Sequence, residues 1–110
     1  MMIVTGIITA EASCIDELLN LSLEHVRRSR AEPGCVSHAV HRDVENPLQL
    51  IFFEEWKDWE ALSAHFAVPA SRAFIRAARL LAVGPPSIEI YDSSKVTGTF
   101  MAGGLERPPA

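Results

Sequence analysis

The stretch spanning residues 50–66 constrains the fold of this chain most, because its hydrophobic period changes there. Residues 50–53 form a continuous run of branched and aromatic side chains, which is typical of a buried strand. Further on, Trp59, Leu62 and Phe66 recur at helical spacing. A strand that leads directly into a helix places the junction at the mouth of any space between sheet and helix. Small ligands commonly bind in such a space.

The size and charge of the chain narrow its class. A length of 110 residues predicts a single domain. The net charge of −4 comes without long charged runs, so we expect neither nucleic acid nor a membrane surface as a partner. No apolar stretch approaches the roughly 20 residues of a membrane span, and no signal-peptide pattern is present, so a cytoplasmic location is predicted. Cys14 and Cys35 match no metal or redox spacing and are expected to be reduced.

The first part of the chain predicts a strand and then a helix. Residues 2–9 are rich in branched side chains and predict the strand, in which Gly6 marks either a bulge or a close approach. Ser13 and Asp16 resemble a capping box, so the helix is expected to start there. An apolar stripe follows, and residues 32–34 end the helix. The stripe consists of Ile15, Leu18, Leu19, Ser22, Leu23 and Val26.

The second part predicts two strands, helical segments and a last strand. In the strand 35–42, alternation puts Val36, His38 and Val40 on one face. A hairpin loop leads to the third strand. After the third strand the pattern is helical, and Pro69 ends the second helix. The predicted ranges are 48–56 for the third strand, 58–67 for the second helix, 70–82 for a further helical segment and 87–91 for the last strand.

This order predicts an α+β fold of the ferredoxin-like type, strand, helix, strand, strand, helix, strand, over residues 1–92. Right-handed crossovers put the helices on one face of a four-stranded antiparallel sheet and leave the other face bare. Because that face is apolar, we predict that a second copy covers it and forms a homodimer. The tail 93–110 is too rich in glycine and proline for the core. Its 95–101 portion is expected to add an edge strand to the partner, and its last residues to be disordered.

Several short segments, taken in order, resemble the antibiotic biosynthesis monooxygenase domain, which includes the quinol monooxygenases. The resemblance covers roughly residues 3–92 and implies a dimeric α+β barrel. It implies oxygenation of a small aromatic or quinol substrate by molecular oxygen, with no metal, flavin or haem cofactor. The segments are Glu32-Pro33-Gly34-Cys35, His41-Arg42-Asp43, Asn46-Pro47, Phe53-Glu54-Glu55-Trp56-Lys57-Asp58, Ala61-Leu62, Ala64-His65, and Pro69 with Arg72-Ala73-Phe74.

The chain departs from that family at one place. Members often carry a histidine directly after the proline that follows the second helix, whereas this chain has Pro69, Ala70 and Ser71. Haem-degrading relatives need a histidine further along the same helix. Residues 70–82 contain none, so haem degradation is disfavoured.

Oxygenation without a cofactor needs a base, because a phenol or hydroquinone gives up electrons more easily as its anion. Histidine suits this role since its ordinary pKa is near 6.5. His65 is the first candidate for the catalytic base and His38 the second, with packing or a dimer interface as the alternatives. His25 and His41 are expected to face solvent.

Aromatic side chains near the junction are candidates for the substrate-binding wall, among them Trp56, Trp59 and Phe66. Core packing accounts equally for them and is favoured for Trp59 and Phe66. Glu54 shares a strand face with Trp56 and could accept its indole N–H, orient a substrate or join an edge ion pair. The remaining candidates for substrate contact are Phe52 and Tyr91, and Arg72, Arg76 and Arg79 are expected to form a solvated helix face.

Three functions compete at this point. The first is a cofactor-independent monooxygenase acting on a small aromatic or quinol-type substrate. The second is a non-redox isomerase or cyclase on the same scaffold, whose activity would persist without oxygen. The third is a non-catalytic small-molecule binding module.

Overall fold

The structure, a computed structural model, describes residues 1–107. The domain contains four long strands and three α-helices, and a short hairpin follows it. The strands are β1 (Met2–Thr9), β2 (Cys35–Arg42), β3 (Gln49–Trp56), β4 (Ser87–Asp92), β5 (Thr99–Met101) and β6 (Gly104–Glu106), and the helices are α1 (Ile15–Ser29), α2 (Trp59–Ala67) and α3 (Pro69–Leu81).

The main sheet has the strand order β2-β3-β1-β4, and every neighbouring pair is antiparallel. This is the predicted ferredoxin-like arrangement, so the fold prediction is confirmed. The helical segment after β3 is divided into α2 and α3. Pro69 occupies the first turn of α3, where a missing backbone N–H costs nothing. Within residues 1–107, no helix has the length and apolar character needed to cross a membrane.

All three helices pack on one face of the sheet. Leu18 of α1 and Ala78 of α3 join Phe52 of β3 in one apolar cluster. A second, smaller cluster combines Leu62 of α2 with Trp56 of β3. Residue 54 lies between Phe52 and Trp56 on the same strand face, so the two apolar clusters flank it.

Local geometry corrects two details of the sequence prediction. The capping box at Ser13 does not form: a 3-10 turn precedes α1, whose N-cap residue is Cys14 and has no side-chain cap hydrogen bond. The register of β2 against β3 shifts between Cys35 and Ser37, so Val36 is exposed rather than on the buried face of His38. At a β-bulge, two residues of one strand face a single residue of the other, so simple alternation no longer tells which face the neighbouring side chains occupy.

Two glycines lie where neighbouring segments of the chain come close together. Gly34 has a φ of 81°, and a Cβ on it would lie 2.5 Å from the Cβ of Ala61, so only glycine fits this turn before β2. Gly6 interrupts no pairing, because β1 stays in register with β3 along its whole length. Of the two predictions for Gly6, the structure therefore favours the close approach, since a Cβ there would lie 3.6 Å from the Cβ of Phe52 and 3.7 Å from the carbonyl oxygen of Ser87.

The sheet face away from the helices carries apolar side chains. Ile7 is 37% exposed, Phe53 39% and Tyr91 47%. The strand register brings Ile51 opposite Ile7 and Phe53 opposite Thr5, so these side chains are contiguous.

The tail forms a small sheet of its own, and the edge strand that residues 95–101 were expected to add to a partner subunit stays a prediction. Thr99–Met101 pairs with Gly104–Glu106 in a separate two-stranded sheet within the same chain. The prediction of disorder at the very end concerns residues 108–110, which lie outside the described residues.

Candidate functional site

A cavity of about 340 Å³ lies between the helices and the sheet, a size suited to a small organic ligand. Its floor includes Gly6, where the missing side chain leaves room above the sheet, and Phe52. Arg79 stands at its exposed rim. The helix residues lining it are His25, His65, Phe66, Ser71, Phe74, Ile75 and Ala78, and the other strand and loop residues are Val4, Ile7, Ile8, Glu54, Pro86, Ser87 and Ile88.

Three histidines meet beside this cavity. His25 is 5% exposed, His38 1% and His65 3%, although they come from α1, β2 and α2. The centroids of their rings are 5.3 to 5.4 Å apart. Glu54 faces the same group from β3, so the gap between the two apolar clusters is filled by four titratable side chains.

His65 is held by a carboxylate. Its Nδ1 lies 2.8 Å from Oε1 of Glu32 in the turn before β2. A carboxylate accepts hydrogen bonds, so Nδ1 carries the ring proton and donates a hydrogen bond to Glu32. The lone pair of Nε2 is then free. The ring also lies over Trp56, with centroids 4.5 Å apart. His65 is therefore fixed in one tautomer and orientation, which is how a histidine base is prepared for proton transfer.

Glu54 is the negative centre of the cluster. Trp56 donates its indole N–H to Oε1 of Glu54 over 2.9 Å, and Nε2 of His38 lies 3.2 Å from the same oxygen. Burial alone would raise the pKa of the Glu54 carboxyl. The hydrogen bond and charge of His38, followed by the contacts with Trp56 and His65, outweigh burial and lower that pKa. Glu54 is therefore ionised inside the protein.

His25 corrects an expectation, since it was predicted to face solvent. Its ring stacks on Phe74 with centroids 4.2 Å apart, and Arg28 Nη2 lies 3.0 Å from its Nδ1. Burial first, and then the neighbouring His38, His65 and Arg28, lower the pKa of His25 to about 3 from its ordinary 6.5. The ring is therefore neutral at physiological pH. Because a guanidinium can only donate, Nδ1 accepts from Arg28 and the ring proton is on Nε2.

Of the other predicted site residues, some line the cavity and others lie away from it. Phe52 and Phe66 line the cavity, while Trp56 is buried behind Glu54 and His65. Trp59 is 57% exposed, which corrects the expectation that it packs in the core, and it lies outside the cavity lining. Tyr91 lies on the open face of the sheet opposite Ile3 in the register and donates to Glu89.

The comparisons identify the family. The family model for antibiotic biosynthesis monooxygenases matches residues 1–77 of the 110. The chain belongs to this family. The uncharacterised protein sll1783 of Synechocystis sp. is 32% identical over 90 residues, which cover 82% of this chain and 61% of that protein. This member of the monooxygenase family thus spans less than two thirds of that relative.

Solved structures agree with the family match. A candidate antibiotic biosynthesis monooxygenase from Deinococcus radiodurans superposes with a TM-score of 0.84 at 26% identity, covering 88% of this chain and 96% of that one. A second antibiotic biosynthesis monooxygenase gives 0.80 at 25% identity, covering 86% of this chain and 100% of that one. The resemblance of short segments in the sequence is therefore confirmed as family membership.

Three residues at the cavity and the histidine cluster were not among the predicted site residues. His25 continues the buried stripe of α1, three residues after Ser22, and this spacing was the signal for it. Ser71 lies two residues after Pro69 on α3, and its buried Oγ has no hydrogen-bond partner at the cavity wall. Glu32 gave no sequence signal for its contact with His65, because the two are 33 residues apart.

Proposed function

We propose that this protein is a cofactor-independent monooxygenase that oxidises a small phenol or quinol-type aromatic with molecular oxygen. The observation that carries the proposal is His65, whose imidazole lies in the wall of an apolar cavity with Nδ1 bound to Glu32. Family membership supports the same reaction class. The cytoplasmic location predicted from the sequence belongs to this proposal.

In the proposed reaction, Nε2 of His65 takes the proton of a substrate hydroxyl. The resulting phenolate transfers one electron to oxygen, and the two radicals combine to form a carbon–oxygen bond. His65 returns its proton to the peroxide so formed, and the ring carbon that gained oxygen loses its hydrogen as a proton. Breakage of the oxygen–oxygen bond releases hydroxide, which takes up that proton and leaves as water, and a carbonyl remains on the ring. A phenol and O₂ thus give a quinone and water, with all electrons supplied by the substrate.

The surroundings of His65 favour this proton transfer. Glu32 and Glu54 stabilise the imidazolium, since their carboxylate oxygens lie 2.8 Å from Nδ1 and 3.8 Å from Nε2. Phe52 and Phe66 offer apolar faces to a flat ring. Ser71 has a free hydroxyl at the wall that can donate to a substrate oxygen. His38, the second candidate base, contacts Glu54 from outside the cavity lining and acts on the charge of that carboxylate.

The test is oxygen uptake with a panel of quinols and polyphenols in chelator-treated buffer. We expect uptake by the wild type and a loss of about 10²- to 10⁴-fold in His65→Ala, the usual contribution of a general base. The matched control is His41→Ala, which removes an exposed histidine and should leave the rate unchanged. A folded His65→Ala protein with the wild-type rate would contradict the proposal.

The isomerase or cyclase alternative uses the same base and the free hydroxyl of Ser71 to move a proton within a ring compound. Turnover of the same panel under strictly anaerobic conditions would favour it over the monooxygenase. Ligand-dependent thermal stabilisation without turnover in either atmosphere would favour a binding module.

A homodimer formed by the open sheet faces is the second part of the proposal. The contiguous apolar side chains around Phe53 and Ile7 support it, since their exposure in a free subunit is unfavourable. We expect sedimentation at twice the subunit mass. Phe53→Glu should convert the protein to monomers, and Val44→Glu, at an exposed loop position, should not. A monomeric wild type at micromolar concentration would contradict this part.

A further inference from the structure

The histidine cluster has more nitrogen ligands than a single general base requires. One ring nitrogen each from His25, His38 and His65 lies within 4.8 Å of the others, and all three side chains are buried. Oε1 of Glu54 lies 3.2 Å from Nε2 of His38 and 3.8 Å from Nε2 of His65. Around a tetrahedral metal ion, ligand atoms at the usual bond length are separated by about 3.3 Å. The two distances from the Glu54 oxygen are therefore close to the spacing of ligands around a shared ion.

The ring of His38 supports a cation at this place. Its Nδ1 and Nε2 are both buried and have no well-aligned hydrogen-bond partner. Nε2 nevertheless faces the Glu54 carboxylate over 3.2 Å, where in the metal-free protein it holds a proton between the two groups. A metal ion at this position takes the place of that proton, because metal ligands must be deprotonated.

His65 has the surroundings that metal-binding histidines usually have. Its Nδ1 donates to Glu32, so the lone pair of Nε2 is available on the side of Glu54. A carboxylate on the outer nitrogen orients a metal-binding imidazole and increases its basicity. Trp56 similarly orients Glu54 by donating to the same Oε1.

His25 is the least suitable of the three. Arg28 occupies its Nδ1, so its Nε2 carries the proton and has no lone pair for an ion. The ligand set is therefore His38, His65 and Glu54, with His25 as a neighbour. Two imidazoles and one carboxylate favour Zn²⁺ and similar transition-metal ions over Mg²⁺ or Ca²⁺, which prefer oxygen ligands.

We propose that His38, His65 and Glu54 bind one divalent transition-metal ion of the Zn²⁺ class at the inner wall of the cavity. His65 and Glu54 both line the cavity, so a ligand in the cavity could reach an ion that they hold. The ion uses the same Nε2 lone pair of His65 that removes the substrate proton. Binding therefore inhibits the monooxygenase reaction, a consequence that rests on the proposed function, whereas binding itself does not.

The test starts with untagged, chelator-stripped protein and no substrate. Titration with Co²⁺, followed by its visible absorption, and with Zn²⁺, followed by calorimetry, should give one ion per chain with a Kd in the micromolar range or tighter. A large excess of Mg²⁺ should not compete. Failure of the wild type to bind either ion at this stoichiometry would overturn the proposal, whatever the variants do.

Variants then identify the ligands. His38→Gln and Glu54→Gln, checked for folding by circular dichroism, should each weaken binding at least tenfold, and Glu32→Gln should weaken it about 10- to 100-fold through His65. The double variant Cys14→Ser/Cys35→Ser and the control His41→Ala should bind as the wild type does. Wild-type affinity in a folded His38→Gln protein, or loss of binding in the cysteine variant, would place the ion elsewhere and overturn the proposal.

The two proposals fail separately. Oxygen uptake that persists in chelator, together with no ion binding, would overturn the metal site alone. Stoichiometric Zn²⁺ binding, with no oxygen uptake by the stripped protein, would support the metal site and contradict the monooxygenase. If both proposals hold, Zn²⁺ should abolish oxygen uptake at one ion per chain and chelator should restore it.

Discussion

Two regions beneath the same helices differ in chemistry. Around Leu18 and Phe52 the space between helices and sheet is filled by apolar side chains, as in an ordinary core. Two residues further along β3, the space at the same depth is filled by charged and polar side chains, those of Glu54 and the three histidines. Burying such groups costs free energy unless they are paired, so stability alone does not account for them. The apolar region therefore holds the fold, and the polar region is where we propose that a ligand binds.

The largest effect is expected in the apolar region. Leu18→Ala removes a fully buried side chain and leaves a cavity, so we expect the free energy of unfolding to fall by about 2 to 5 kcal/mol. Urea denaturation measures this loss. The control Leu80→Ala, at a position 85% exposed on α3, should change stability by less than about 0.5 kcal/mol. Equal losses in both variants would contradict the assignment of the core.

A smaller loss is expected in the polar region. Glu54→Gln keeps the shape of the side chain but removes the charge that faces His38, and we expect a loss of about 1 to 3 kcal/mol from the unpaired buried group. The matched control is Glu55→Gln, at the next residue of β3, where Glu55 accepts a hydrogen bond from Ser37 on the opposite face of the sheet. It should lower the free energy of unfolding by less. If Glu54→Gln is neutral or stabilising in denaturation experiments, the polar cluster is not held together by this carboxylate.

The pH dependence of stability should separate the two regions further. The pKa of His25 is about 3 in the folded protein and 6.5 in an unfolded chain. As the pH falls below 6.5, the imidazole of His25 therefore takes up a proton in the unfolded chain but stays neutral in the folded protein. Stability should therefore fall with decreasing pH, by up to about 1.4 kcal/mol per pH unit. The measurement is urea denaturation in chelator between pH 7 and about pH 5, above the ordinary titration of carboxyl groups.

The matched variant for this measurement is His25→Gln, which cannot take up the proton. We expect its stability to decrease less steeply over the same range. An identical slope in wild type and variant would show that His25 is not the residue responsible.

The smallest effect concerns the helix that carries His65. Asp58 caps α2 by accepting from the backbone N–H of Ala61 over 2.9 Å, and Asp58→Ala should cost about 1 kcal/mol. Asp58→Asn retains a capping oxygen and should cost only a fraction of that. Because α2 has nine residues, a lost cap should also loosen His65 against Glu32 and reduce the proposed activity. Equal stability of the two variants in thermal denaturation would contradict the role of the cap.

Much of the fold was predictable because local patterns determine it. The branched side chains of β1, the alternation in β2, the continuous apolar run in β3, the apolar stripe of α1 and the breaks at Gly34 and Pro69 gave the right elements within one or two residues. The predictions that failed depended on features without a clear local signal. The register shift that exposes Val36 and the missing side-chain cap at the start of α1 are examples.

The site was only partly predictable. His65 and Glu54 were recognised from their positions near the strand-to-helix junction, and the structure brings them to one cavity wall. Trp59 and Tyr91 share the same sequence neighbourhood or aromatic character but lie outside that wall. Periodicity tells which face of an element is buried, yet it does not tell which residues of separate elements meet there.

By itself, the sequence determined the order of strands and helices, the sheet with one helix-covered face and the resemblance to the monooxygenase family. The tertiary structure alone decided that His25, His38 and His65 converge on Glu54, and that Glu32 reaches His65 across 33 residues. The physical reason is that hydrophobic periodicity acts over one or two turns of chain. The position of one element on another depends on the packing of the whole core.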